Sequence, residues 1–389
     1  METVTMNWNL SLSRVLGTAA LAFAATSAYA LPTRASASCE PRETMPRGPC
    51  DQKPNVCCEE PKPGPFAFAY PMDVDLNCPR DFYVTVAGLA LQAKQDGMAF
   101  GLNNASGANY PIVAGEVLNF STDDSDWDYN PGIRVGLGFY VNHDAWNLEF
   151  DWTWLNITNY KSYSAENAGI LIPLWIPPFA SSTSWQSLSA VWKAHYNTLD
   201  AKLGKPYHVS RYLILNPHFG VRAAWIDQHF SVHYGGNFNA LNGTVHHGSN
   251  DFWGFGARAG IMTDWIVGKG WSLFGNIAAS LLFGKFEIDQ TVAMGNGVNS
   301  KGYDIGEDFY QNVPNMEIQL GIAWDKYFNK DKYRIQVAAA YEFHEWWDQF
   351  NMRRIYGTSD NPNPIIQSDT VSRGNLSLNG FSLTLRLDI

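Results

Sequence analysis

Ionisable residues of both signs, Arg134, Glu149, Asp151, Asp200, Arg222, Arg258, Glu317, Arg334, Glu342 and Arg386, each stand between two apolar or aromatic neighbours. In extended chain that spacing gathers the charges on one face and the oily side chains on the other. Charges facing one another across a closed sheet can do two things: set a transverse field that biases which solutes cross, or meet and fill the interior as a salt-bridge network. Catalytic patterns are weaker. His218, Asp200 and scattered serines could be assembled into a hydrolase, but no spacing demands it. No phosphate-cradling Gly-Lys-Ser loop, Gly-x-Ser-x-Gly elbow or His-Glu-x-x-His helix is present, so no enzyme activity is expected and no cofactor is implied. His246-His247 reads as a solvated loop or a surface metal site, and Asp123, Asp124, Asp126 and Asp128 as an acidic loop patch.

The elements that must hold these charges are strands. Residues 146 to 154 set Trp146, Leu148, Phe150, Trp152 and Trp154 against Asn147, Glu149, Asp151 and Thr153. Ile133, Val135, Leu137 and Phe139 oppose Arg134, Gly136, Gly138 and Tyr140, while Leu213, Leu215, Phe219, Val221 and Trp225 oppose Asn216, His218 and Arg222. Further on, Met316 to Trp324 oppose Glu317, Gln319 and Asp325; Ile335, Val337, Tyr341 and Phe343 oppose Arg334, Gln336, Glu342 and His344; and Phe381 to Ile389 oppose Ser382, Thr384, Arg386 and Asp388. Rows of this length match a lipid-facing band of about 25 Å on tilted strands. One segment is less regular, because Phe274 and Leu282 interrupt its polar row. Trp146, Trp225, Trp253, Trp271 and Trp324 near strand ends suit an interfacial aromatic girdle, or core packing in a soluble β protein.

Strands are expected at 82–93, 131–140, 146–156, 192–203, 211–226, 252–262, 271–284, 315–325, 333–346 and 376–389. Connections after even-numbered strands are short, and those after odd-numbered strands are expected to span about twenty-five to forty residues. The fold expected is an all-β, transmembrane, antiparallel up-and-down barrel of about ten strands, with eight to fourteen compatible. Extra pairs at Phe230 to Tyr234 and Phe286 to Ala293 would make twelve. Gly169 to Phe179 is apolar where a watery loop is expected, and is read as folding into the barrel mouth, packing on a neighbouring subunit, or folding on itself.

The chain has 389 residues, 46% hydrophobic, with 15 Trp and 33 Gly, ample for one large domain. Its mean hydropathy of −0.22 does not exclude a membrane, because a barrel strand gives only alternate residues to lipid. A formal charge of −10 argues against nucleic acid. Residues 1–30 have the form of a signal peptide, with Arg14, an apolar run from Val15 to Ala25, and Ala28-Tyr29-Ala30 before a mature start at Leu31. Residues 31–80 read as a Cys/Pro-rich periplasmic segment holding all the cysteines, Cys39, Cys50, Cys57, Cys58 and Cys78, and residues 81–389 as the barrel. Export favours disulfides over zinc, and the odd count leaves one thiol free or joined to another chain.

Several runs resemble the Legionella-type pore-forming major outer membrane proteins, also met among chlamydia-like bacteria. These are Pro131 to Tyr140 with Trp146 to Trp152, Tyr196 to Asp200, Pro217 to Asp227, Gly268 to Asn276 with Leu281 to Lys285, and Leu376 to Asp388. The resemblance spans roughly residues 80 to 389 and rests on the order of the pieces rather than on any single one. It implies an outer-membrane porin or porin-like surface antigen, with cysteine-rich members linked by disulfides into the envelope. Ile389 departs from the aromatic residue that usually ends such a barrel. The function expected is passive passage of small hydrophilic solutes, with the ten charges above as pore lining. The competing reading is a non-conducting structural or adhesive surface barrel. Expected partners are outer-membrane lipid, small hydrophilic solutes, and either a homo-oligomer or disulfide-linked envelope proteins.

Overall fold

Backbone amides in hydrocarbon find no water to bond, so an open sheet is excluded and strands that span lipid must close on themselves. The computed structural model meets this demand, describing residues 70–71, 81–104, 115–120, 129–141, 146–165, 170–175, 185–235, 243–293, 301–358, 365–371 and 373–389. The strands are β1 Phe82–Gln95, β2 Asn130–Val141, β3 Trp146–Ser164, β4 Ser187–Gly204 and β5 Leu213–Gly235. They continue with β6 Thr244–Gly268, β7 Trp271–Ala293, β8 Lys301–Phe328, β9 Tyr333–Phe350 and β10 Gly374–Asp388. Each pairs antiparallel with the next, and β10 returns to β1 from Leu376↔Gln95 to Asp388↔Tyr83, so the barrel has ten strands and no free edge.

The alternation works as the sequence implies. Phe139, Val135, Trp152, Trp154, Leu383 and Leu385 face outward, and their strand neighbours face in. The irregular segment has its expected register too: Phe274 and Leu282 are simply apolar residues on the inner face of β7. An outer girdle follows the ladder from Trp154 to Asn197, Trp225, Trp253, Lys285 and Tyr310, with Phe283 stacked on Tyr310 at 5.6 Å. Trp265 and Trp271 face outward at the opposite end, beside the short turns. The turn from β6 to β7 places Lys269 and Gly270 at φ 55° and 81°, the left-handed pair that matches the twist of a tight hairpin.

Two expectations need correction. Phe230 to Tyr234 and Phe286 to Ala293 are not extra strand pairs but the upper parts of β5 and β7. The connections after β5 and β7 are therefore short, because β5 to β8 run 23, 25, 23 and 28 residues, against 14 and 12 for β1 and β2. The reason lies in the pattern itself. Above the outer girdle the barrel wall inverts: on β5, Asp227, His229, Ser231 and His233 turn outward while Ile226, Phe230, Val232 and Tyr234 turn inward. A polar outer row reads as loop when lipid contact is the only template.

Tyr70–Pro71 pairs antiparallel with Tyr207–His208, in the connection between β4 and β5. The amide of Ile389 donates to the Phe82 carbonyl at 3.1 Å, so the last residue meets the start of the barrel at the short-turn end. The signal peptide expected at residues 1–30, the five cysteines and the acidic patch at 123–128 lie outside the described residues.

Candidate functional site

The inward rows of β2 to β9 carry the charges into the lumen, and there the charges meet. Arg222 on β5 forms a two-pronged pair with Asp200 on β4, 2.6 Å on each prong. Its remaining nitrogen reaches β8, bonding Asn315 at 2.6 Å and Glu317. Glu317 also takes Arg258 of β6 at 2.6 Å. His344 of β9 stands between two carboxylates, with Nδ1 3.2 Å from Glu317 and Nε2 3.0 Å from Glu342. Glu342 in turn holds Arg134 of β2 through bonds of 3.0 and 2.8 Å, and accepts from Gln319 at 2.9 Å. Nearby, Lys202 pairs with Asp151 at 2.6 Å and Glu149 at 3.4 Å.

These groups form a layer across the lumen, with the Lys202 cluster beside the Arg222–Arg134 chain of contacts. Arg222 joins strands three apart around the wall, and Arg134 does the same from the other side. Five carboxylates (Glu149, Asp151, Asp200, Glu317 and Glu342) face four fixed cations (Arg134, Lys202, Arg222 and Arg258), and the His344 ring stands between Glu317 and Glu342. Groups lining an open pore would touch water, yet Arg222 is 2% exposed and Glu342 1%. The cavity left inside the layer is about 70 Å³, well under the few hundred Å³ of an ordinary ligand site.

Above this layer the inner wall is apolar, and loop segments fill it. Gly101–Asn104 pairs with Gly115–Leu118 and with Ile170–Pro173, making a three-stranded sheet from the β1–β2 and β3–β4 connections. Phe100, Leu118, Leu171, Trp175 and Trp185 are buried in one cluster with Trp192, Phe230 and Phe350 of the wall. Trp175 meets Phe230 edge-on at 5.4 Å and Phe350 at 6.1 Å. Polar clasps fix the arrangement: Trp175 Nε1 donates to Ala99 O at 2.8 Å, Tyr234 to Phe100 O at 3.0 Å, and Arg354 to Gly97 O and Ala99 O at 2.8 and 2.9 Å. Around the end of β9 the chain is tied to the inner wall, where Asn250 donates to Gln349 O at 2.9 Å and, past the strand, Gln290 exchanges two bonds with the Arg353 backbone. Of the three readings of Gly169 to Phe179, burial in the barrel mouth holds at Leu171 and Trp175. The same burial removes His246 from the solvated loop: it packs 5.0 Å from the Trp175 ring and accepts from Gln290 at 3.3 Å. Burial holds its imidazole down at about 3.

Below the layer, Arg334 and Arg386 occupy a separate group at the short-turn end, sharing Asp388 at 3.3 and 2.7 Å. The Arg386 guanidinium lies 3.6 Å above the Tyr83 ring. All ten residues expected to line the interior do face it, but they divide between two clusters. His344, Lys202, Asn315 and Gln319 complete the network; they share the parity of their charged neighbours, which was the available signal. Phe100, Leu118 and Trp185 had no periodic signal, because they belong to loops. His218 and Asp200 form no catalytic arrangement, since both Asp200 oxygens serve Arg222 and His218 Nδ1 faces the Asn216 carbonyl at 3.4 Å. Among the described residues no group of three His, Cys, Asp or Glu side chains is placed to hold a metal.

Among solved structures, the chain resembles the outer membrane protease OmpT from Escherichia coli at 10% identity and a TM-score of 0.41, covering 80% of this chain and 96% of that one. It resembles the Pseudomonas putida toluene transporter TodX at 10% and 0.28, covering 80% and 90%, and a Pseudomonas aeruginosa FadL homologue at 11% and 0.22, covering 79% and 89%. No curated protein matches. Similarities this distant carry no functional argument. The family model described as Legionella pneumophila major outer membrane protein precursor matches residues 77–389, the whole of the barrel found here, and the chain belongs to that outer-membrane family.

Proposed function

We propose that this chain is a surface barrel of the outer membrane whose lumen is closed at rest by two seals, the ionic layer and the apolar lid above it. In this reading its first role is structural, and steady diffusion of solutes, the function expected from the charged rows, takes second place. The observation that carries the reading is the Arg222 guanidinium, tied at once to Asp200, Asn315 and Glu317 across the lumen. Water-filled pores keep such charges apart and wet; here Asp200, Arg222, Arg258, Glu317 and Glu342 are buried and paired, an arrangement stabilised by pairing rather than by water. The inner charges act as structure, and no catalytic role is assigned to them. Planar-bilayer recording of the purified full chain tests this. Long silence after confirmed insertion is expected, and regular stepwise conductance from the first insertions would overturn it.

A porin-like second reading is favoured by one observation: the lid is built from loop segments 98–104, 115–120 and 170–175, which can leave the mouth without breaking the barrel ladder. Passage of small hydrophilic solutes then requires the lid to lift and the ionic layer to part. Deleting residues 169–179 is expected to raise the frequency of brief openings; unchanged records would remove this reading. Export through the signal peptide and cross-linking through Cys39, Cys50, Cys57, Cys58 and Cys78 complete the proposal. Mature protein is expected to begin at Leu31, and gels without reductant should show higher species that collapse to monomer when it is added.

A further inference from the structure

At the short-turn end the outer face of the barrel passes from apolar to cationic within one step of the strand pattern. On β6 the outward positions run Trp265, Val267 and then Lys269; on β8 they run Ile322, Trp324 and then Lys326; and ahead of β5 Arg211 lies 5.6 Å from the ring centre of Tyr212. Val267 is 67% exposed and Tyr212 59%, so apolar outer surface runs up to the cations themselves. Two backbone bonds set these strand ends side by side: Ile266 donates to the Tyr212 carbonyl at 2.7 Å, and Asp325 to the Gly270 carbonyl at 2.9 Å. Arg211, Lys269 and Lys326 thereby form one exposed arc, and none of the three makes an ion pair among the described residues. The described carboxylates at this end do not offset them. Asp264 and Asp325 face the lumen, Asp388 holds Arg386 and Arg334, Asp331 stands between Lys330 and Lys332, and Asp81 lies ahead of β1, off the arc. At the opposite end the outer wall has the other sign, with Asp227, Asp251, Glu287, Asp289, Asp304 and Asp308 facing outward on β5 to β8 around Lys285.

Cations set just past an aromatic and apolar edge are placed as side chains are that reach from hydrocarbon to the level of lipid phosphates. We propose that this arc binds anionic phospholipid headgroups of the periplasmic leaflet, with Trp265, Val267 and Trp271 against the acyl chains and Arg211, Lys269 and Lys326 on the phosphates. Charge complementarity selects the occupant. A zwitterionic headgroup carries its own ammonium beside its phosphate, so it gains less from unpaired cations than a headgroup of net negative charge does. The acidic wall at the other end repels the same lipid, which confines the preference to one leaflet. Lys269, at the apex of its turn, also borders the lumen mouth, but the assignment does not depend on whether the lumen conducts.

The test reconstitutes the full chain into vesicles of phosphatidylcholine mixed with brominated phosphatidylglycerol and into the converse mixture. Tryptophan quenching in the two series gives the relative affinity of the two headgroups for the barrel surface. Phosphatidylglycerol is expected to be preferred by about fivefold or more, the worth of one Lys or Arg beside an anionic surface, and the preference should shrink in high salt because the cations are exposed. Arg211→Gln, Lys269→Gln and Lys326→Gln combined should bring the two lipids to near parity. Lys193→Gln, an exposed cation in the outer part of β4, should leave the preference unchanged. Gel migration before and after heating verifies the fold of each variant. Should the combined variant fail to fold, the three single variants serve in its place, and each is expected to remove part of the preference. Equal quenching by both lipids with the native chain, a full preference in the folded variants, or a preference lost as readily in Lys193→Gln would each overturn the assignment.

Discussion

Replacing Arg222 by Met separates a sealed lumen from a wet one. The two N–O contacts with Asp200 are 2.6 Å, which puts the charge centres about 4 Å apart; the attraction is then about 4 kcal/mol at an effective dielectric near 20 and about 1 kcal/mol in water. Met fills much of the same volume but strands Asp200 and Glu317, leaving Arg258 to serve both at 3.9 and 2.6 Å. Breaking a buried pair in this way costs about 3–5 kcal/mol. Asp200→Asn added to Arg222→Met removes one stranded charge while Glu317 keeps Arg258, so the double variant should recover about 2 kcal/mol of the summed single costs. Urea unfolding in lipid vesicles, followed by tryptophan fluorescence at low and at high salt, measures the cycle. Single costs below about 1 kcal/mol that add without coupling and shrink in salt would mean the layer is screened by water, and the sealed-lumen argument would fail.

Leu383, 60% exposed to lipid, should lose about 2–4 kcal/mol on change to Arg, whereas Thr384→Arg on the inner face should be penalised by crowding without that depth dependence; vesicle refolding yields compare the two. Gly138 gives up its side chain to the Tyr83 ring, which lies 2.0 Å from where a Cβ would sit, so Gly138→Leu should displace Tyr83 from Asn147 and Arg386 and cost about 1–3 kcal/mol in urea midpoint terms; a stable variant with native Tyr83 contacts would contradict this. His246, at the lid and above the outer girdle, is held at about 3 against its ordinary 6.5. Because a depressed base is protonated first in the opened state, lid stability is complete above pH 6.5 and falls toward pH 3, by up to about 1.4 kcal/mol per pH unit. Hydrogen exchange at residues 98–104 should show the loss between pH 7 and 4, and His246→Phe should abolish it.

Much of the barrel was written in the alternation, because which face a strand residue takes depends on parity alone. Phe150 and Asp151 were assignable to lipid and lumen without a partner in view, and the short connections after even strands set the order of the wall. Parity also placed all ten interior charges on the inner face. What it could not say is whom they meet. Arg222 and Glu317 are 95 residues apart, and Arg134 and Glu342 are 208 apart; only closure of β10 on β1 brings them within bonding distance. The inverted upper wall, polar outside and apolar within, escaped for a related reason. A strand pattern tells which residues share a face but not what each face touches, and above the girdle the loops, not lipid, supply the apolar partner. Sequence therefore determined the wall and its two sides, while tertiary structure alone decided that the space inside it is filled.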